Sequence, residues 1–323
     1  MSSYAELKQI FDAKGVVILD GAIGTQLQEM GVPMDNTSWA ASGLRDYPFT
    51  IQRMHELYVK AGAQVITTNT YSSARHNFEP LGLGDFTREF NLRAVMLAQN
   101  ARERAGGGGR NVWIAGAISG FGITTGGESV RALHRYSRPR SHITAETAQA
   151  NLNEQAEIIA EAGVDFLLIE GTGENTHRKW MIEACRRTGL PFWLGFRVRL
   201  DALKELRIGY SSTKGFAQAL DEVLSDDLAG VSIFHSSIAA VDPALAVLRG
   251  KWKGLIGVYP EAERHDYTAT WHDHGEENAI KPDEYASMAK RWVAGGAQLV
   301  GGCCGIGVPY IEKLVAALPK RAI

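Results

Sequence analysis

Residues 297–305 read AQLVGGCCG. The first four are mostly apolar and suit a short buried strand; two glycines, two adjacent cysteines and a further glycine follow. Glycine permits backbone angles and close approaches that other residues resist. A strand ending in glycines and thiols carries sulfur to its C-terminal tip, which in a parallel α/β protein is where ligands bind. Alone, the pair is equally compatible with buried, inert thiols, because free cysteine is a common core residue and adjacent cysteines without a CxxC partner are weak metal evidence.

Working outward, the same pattern of apolar strand and following helix recurs. Strands are expected at 16–20 (VVILD), 64–69 (QVITTN), 112–118 (VWIAGAI), 165–170 (DFLLIE), 191–196 (PFWLGF), 230–234 (GVSIF), 255–258 (LIGV) and 298–301 (QLVG). Helices are expected at 48–61, 85–104, 144–162, 174–187, 213–225, 242–248, 284–294 and 310–318, with a short one at 4–13 covering one end. Short, apolar, often β-branched strands alternating with helices are the mark of a parallel sheet covered by helices. Eight such units in 323 residues fit a closed (β/α)8 TIM barrel, with residues 1–323 as one domain; a doubly wound open sheet is the alternative. Gly106–Gly109 is a flexible connector. Four glycines outside a GxGxxG or GxxxxGK[ST] context make no phosphate loop.

Composition narrows the function. The formal net charge is -2, with 34 basic and 36 acidic residues. This balance gives no electrostatic case for nucleic acid or an anionic membrane. No apolar run approaches the roughly 20 residues that span a bilayer, and MSSYAELKQIFDAKG lacks a signal-peptide pattern. Three cysteines do not build a disulfide framework, so a reducing cytoplasm is the expected setting. Cys185, inside a helix, reads as a packing residue.

Polar groups gather at the expected strand ends. Asp20 and Glu170 close the first and fourth strands. Either carboxylate can cap backbone amides or hold a ligand's ammonium group. Thr70 and Tyr71 follow the second strand, and Trp39 lies in the loop after the first. Residues 119–142, rich in Gly, Ser and Arg, read as a long loop on the active side. His55 reads as structural.

The motifs LDGAIGTQLQ at 19–28, HELYVKAGAQVITTNTY at 55–71, AGVDFLLIE at 162–170, Gly230-Val231, Tyr259-Pro260 and WVAGGAQLVGGCCG at 292–305 resemble, in this order, the homocysteine S-methyltransferase family. The resemblance implies a zinc (Zn2+) enzyme that moves a methyl group from a small onium donor, such as S-methylmethionine or betaine, to the thiol of homocysteine, giving methionine. It implies metal ligation by Cys303, Cys304 and a sixth-strand cysteine. It further implies that Asp20, Gly21 and Glu170 hold the amino acid part of homocysteine, with Thr70 and Tyr71 binding substrate from the tip of the second strand and Trp39 matching a loop aromatic near the donor. A small onium donor is expected because no cobalamin or folate module accompanies the barrel. Homo-oligomers are compatible with the resemblance, and no sequence feature assigns one.

One departure bears on the metal. The family's sixth strand reads Gly-(Val/Ile)-Asn-Cys; here it reads Gly230-Val231-Ser232-Ile233-Phe234-His235. Ile233 cannot ligate. His235, two residues on, is on the same side of a regular strand and is the candidate third ligand, since Cys2His with an open fourth position is a recognised catalytic set. The competing reading is a histidine that only hydrogen-bonds in the barrel mouth. A diverged metal site with another acceptor, or a catalytically silent protein, are the functional alternatives.

Overall fold

A computed structural model describes residues 3–35, 37–105, 111–123, 143–263 and 279–319. The Gly106–Gly109 connector and most of the 119–142 loop lie outside the described residues. Ten strands are described: β1 Val17–Ile18, β2 Val65–Thr67, β3 Trp113–Ser119, β4 Phe166–Gly171, β5 Phe192–Phe196, β6 Val198–Leu200, β7 Leu206–Ile208, β8 Gly230–Phe234, β9 Leu255–Tyr259 and β10 Leu299–Val300. Eight form one parallel sheet in the order β1-β10-β9-β8-β5-β4-β3-β2. A parallel bridge between Leu19 and Val65 joins β1 to β2 and closes the ring. The expected (β/α)8 TIM barrel is therefore present.

Side chains sort by strand alternation. Val17, Leu19, Val65, Trp113, Ala115, Phe166, Leu168, Trp193, Phe234, Tyr259 and Leu299 pack together inside the ring. Their neighbours, such as Ile18, Ile66, Ile114, Leu167, Val231, Ile233 and Val258, pack outward against the helices. The helix Tyr4–Asp12 closes the N-terminal end: Trp193 Nε1 donates to the Tyr4 hydroxyl at 2.9 Å and Trp113 Nε1 to the Ser3 carbonyl at 3.0 Å, while Phe11 lies 5.6 Å from the Trp193 ring. The C-terminal end is left for chemistry.

Two expectations are corrected. The helix placed at 242–248 runs Ile238–Lys251, with Pro243 inside it. Proline there removes one N–H bond and its ring crowds the carbonyl four residues back, a cost that burial of Ile238, Val241, Leu245 and Leu248 offsets. The helix placed at 213–225 is Phe216–Val223. Ahead of it, β6 and β7 form an antiparallel hairpin, Val198 facing Ile208, which the eight-unit reading did not anticipate. Thr144 caps Ala145–Glu161 by accepting from the Thr147 amide at 3.1 Å.

His55, on the helix Pro48–Ala61, is wholly buried, and neither ring nitrogen has a hydrogen-bond partner among the described residues. Burial depresses its imidazole from 6.5 to about 4. The folded value lies below the unfolded one, so the unfolded chain binds more protons as pH falls. The stability of the neutral ring is complete above about 6.5 and is lost progressively down to about 4, a total of roughly 3 kcal/mol. Urea unfolding at pH 7 and pH 4.5 should show a larger acid loss in the wild type than in His55→Leu; equal losses contradict the assignment.

Candidate functional site

The segment 301–306 is wedged between two other strand ends. Gly302 N–H donates to Asp20 O at 3.0 Å and Cys303 N–H to Pro260 O at 2.9 Å; Ala262 N–H donates to Cys304 O at 2.8 Å. Ala22 N–H donates to Ile306 O at 2.9 Å. This packing leaves no room for side chains at two glycines. A Cβ at Gly21 would meet Ile306 O at 2.1 Å, and one at Gly302 would meet Ile306 Cγ2 at 2.1 Å. Gly21 is thus a close-approach residue that sets the height of the cysteine loop.

Cys303 and Cys304 are half-buried and His235 is buried. One donor atom from each lies within 4.8 Å of the others, and Cys303 Sγ is 3.3 Å from His235 Nδ1. Neighbouring donors in a tetrahedral zinc site stand roughly 3.5–3.8 Å apart, from bond lengths of about 2.3 Å to sulfur and 2.0 Å to nitrogen. Two thiols and an imidazole at these separations fit a metal ion with small adjustment. Ile233 is buried in the outward-facing cluster, so both its chemistry and its direction remove it from the site. His235 reaches the cysteines because it leaves the strand with a left-handed φ of 44°, its amide still bonded to Tyr259 O at 3.2 Å.

Around this trio stand groups the sequence reading missed. His235 Nε2 and the Tyr210 hydroxyl are 2.5 Å apart. Glu261 Oε2 is 3.5 Å from His235 Nδ1 and Glu261 Oε1 is 3.8 Å from Arg197 Nη2. Arg197 lies over the Tyr210 ring, 4.1 Å from its centroid. Arg197 directly follows an apolar strand and Glu261 lies two residues past one, a signal close to the one that singled out Asp20 and Glu170.

Asp20 is buried; it accepts from Thr67 N–H at 2.7 Å and Thr67 Oγ1 at 2.9 Å. Burial drives its carboxyl well above the usual range, against those bonds. Burial likewise pushes Glu170 up to about 7, with the Cys304 sulfur adding and His235 opposing. Burial depresses the His235 imidazole, but Glu261 and Cys304 outweigh it and carry it to about 9. The Cys303 thiol is held well above its usual range by its hydrogen bond with Cys304, then by burial and the Glu170 and Glu261 charges.

The remaining predicted residues divide. Tyr71 lies close enough to Glu170 and both cysteines to feel their charges, and its ring is 5.5 Å from Phe121. Thr70 is fully buried and donates to Ala117 O at 2.8 Å, a link between β2 and β3. Trp39 has a left-handed φ of 50° and its indole lies against Gly24, so the helix Gly24–Glu29 sets that ring.

A closed parallel barrel with two thiols, an imidazole, the buried Asp20 and the half-buried Glu170 at its C-terminal mouth defines a barrel enzyme that binds small molecules beside sulfur and nitrogen donors. The profile of the homocysteine S-methyltransferase family matches residues 17–318, and the chain belongs to that family; it is an S-methyltransferase. It is 28% identical over 324 residues to the homocysteine S-methyltransferase of Escherichia coli K12, covering 94% of this chain and 96% of that one. It is 24% identical to the selenocysteine methyltransferase of Astragalus bisulcatus, covering 94% and 93%. In fold it is similar to the metallated form of the homocysteine methyltransferase MmuM from Escherichia coli, with TM-score 0.72 at 23% identity over 96% of this chain and 99% of that one.

Gly21→Ala should cost about 1–3 kcal/mol in urea unfolding, the range for forcing a methyl into a packed site. Gly250→Ala, on a helix with nothing within 4 Å of the new methyl, should be neutral or stabilising. Equal stabilities would remove the close-approach argument.

Proposed function

We propose that this chain methylates the thiol of homocysteine, using a small onium donor such as S-methylmethionine or betaine, with a zinc ion held by Cys303, Cys304 and His235. The observation that carries the reading is the convergence of those three donors within 4.8 Å in a chain of this family. Zinc, when bound, keeps an incoming thiol deprotonated at neutral pH, and the thiolate is the nucleophile.

The chain's own residues supply binding and orientation. Asp20, fixed by Thr67, and Glu170 hold the acceptor's ammonium group; Gly21 keeps the floor beneath it narrow enough for backbone contact. Tyr71 and Phe121 offer ring faces to the onium cation, a contact that attracts positive charge without a fixed hydrogen bond. As the acceptor sulfur bonds to the methyl carbon, the carbon's bond to the onium centre breaks. The electron pair stays with the donor, which loses its positive charge. No helix among the described residues is long and apolar enough to cross a membrane, and the reading assigns a cytoplasmic enzyme of small molecules. A selenol acceptor is the second reading, favoured by the similarity to a selenocysteine methyltransferase.

Metal analysis of protein purified without chelator should give about one zinc per chain, and Cys304→Ser should lose both metal and methyl transfer. Failure to bind stoichiometric zinc after reconstitution overturns the metal assignment. Turnover of selenocysteine but not homocysteine, across a panel of onium donors, selects the second reading.

Glu170 supplies a pH dependence with a defined sign. Its carboxyl, raised to about 7, pairs with an ammonium only when ionised, so affinity should rise as pH climbs through 7 and level off above. Methionine carries no thiol to titrate, so calorimetric binding of methionine isolates the effect. Glu170→Gln should weaken binding by about tenfold or more, the cost of a charge-assisted bond, and abolish the step at pH 7. Retention of the step in that variant contradicts the role.

A further inference from the structure

The hairpin β6–β7 interrupts the simple strand-to-helix unit after β5, and the residue just past it touches the candidate metal ligand. Gly209 ends the hairpin with a left-handed φ of 66°. Its amide donates to Arg197 O at 2.9 Å, and its carbonyl accepts from Arg197 Nη1 at 2.9 Å. This double link fixes where Tyr210 leaves the hairpin. Arg197 then covers the Tyr210 ring at 4.1 Å, and the hydroxyl meets His235 Nε2 at 2.5 Å. The opposite ring nitrogen, Nδ1, faces Cys303 Sγ at 3.3 Å.

An imidazole has one lone pair to give. A hydroxyl oxygen that accepts from Nε2–H fixes the tautomer in which Nδ1 is the free donor. Groups that bond the far nitrogen of a ligating histidine set its ring orientation and its basicity. We propose that Tyr210 is a positioning residue: its hydroxyl holds His235 so that Nδ1, not Nε2, completes the metal site with Cys303 and Cys304. The hairpin is the structural means by which the chain supports an imidazole where Ile233 has displaced a sulfur ligand. Glu261 Oε2, 3.5 Å from Nδ1, stands on the same Nδ1 side of the ring as Cys303, while Tyr210 stands on the Nε2 side. This inference rests on the reading of His235 as a ligand and extends it to the support behind it.

The test compares zinc affinity of the wild type, Tyr210→Phe and His235→Ala by competition with a chromophoric chelator. Tyr210→Phe keeps the ring over Arg197 and removes only the hydroxyl. Loss of an outer partner of this kind typically weakens metal binding by 10–100-fold, and that loss is the expected result. Absorption of the cobalt-loaded variant at saturation should still show two thiolate ligands. If Tyr210→Phe binds zinc like the wild type while His235→Ala is weakened, the positioning role fails and the ligand assignment stands. If His235→Ala also binds like the wild type, the ligand assignment itself fails. A readout on the zinc-loaded wild type needs no variant to fold: long-range 1H–15N correlation of the His235 ring should show a protonated Nε2 and a metal-shifted Nδ1. Metal on Nε2 overturns the inference.

Discussion

The site depends on how tightly the cysteine loop is held between its neighbours. Backbone bonds tie Gly302 to Asp20, Cys303 to Pro260 and Cys304 to Ala262, so three loops at the mouth of the barrel are cross-linked through their main chains. Amide bonds of this kind are individually modest. Their value is geometric: they fix the backbone positions of both cysteines, so chiefly side-chain rotation remains to be lost when both sulfurs engage one ligand. The glycines follow from the same constraint. Gly21 and Gly302 are small because Ile306 occupies the space above them.

The sulfur that the sixth barrel strand lacks is a matter of direction as well as residue type. In β8, Phe234 points into the ring and Ile233 points out. The chain reaches the cysteines one residue later, by turning left-handed at His235. Non-glycine residues in that region are uncommon and are held there by their surroundings; here the surroundings are the Tyr259 carbonyl, Tyr210 and Glu261.

Much of this was legible in the sequence. The barrel follows from eight repeats of one local pattern, and local patterns are what a sequence displays. Asp20, Glu170 and the cysteine pair were visible because each is a polar group at the end of an apolar run. Tyr210 was not visible: it ends the stretch RLDALKELRIGY, whose two short strands form a local antiparallel hairpin outside the barrel sheet, so the eight-unit repeat says nothing of where it leads. The start of the helix Ile238–Lys251 was misread because Asp242-Pro243 is a local start signal that tertiary burial overrode. The reach of His235 depends on one backbone angle, which alternation along a strand does not encode.

The arrangement of charge at the mouth follows one logic. Among the described residues, Asp20, Glu170, Glu261, Glu263 and two thiols converge there, against Arg197 and His235 as cationic partners. Placing that many acidic groups in a low-dielectric pocket is costly unless they are neutralised by protons or by cations. The protein alone takes the first course. Burial drives Asp20 well up and lifts Glu170 to about 7; for Glu263 burial, reinforced by Glu261, reaches about 8. A ligand that is cationic, whether a metal ion, an ammonium group or an onium centre, takes the second course and displaces those protons as it enters. On the proposed function, preference for a cation would belong to the whole mouth and not to any one carboxylate, and removing one acid lowers the proton affinity of the rest. The proposed onium donor suits such a mouth because it brings positive charge and gives it up on reaction, so the product that has lost its cation is held less firmly than the donor it came from.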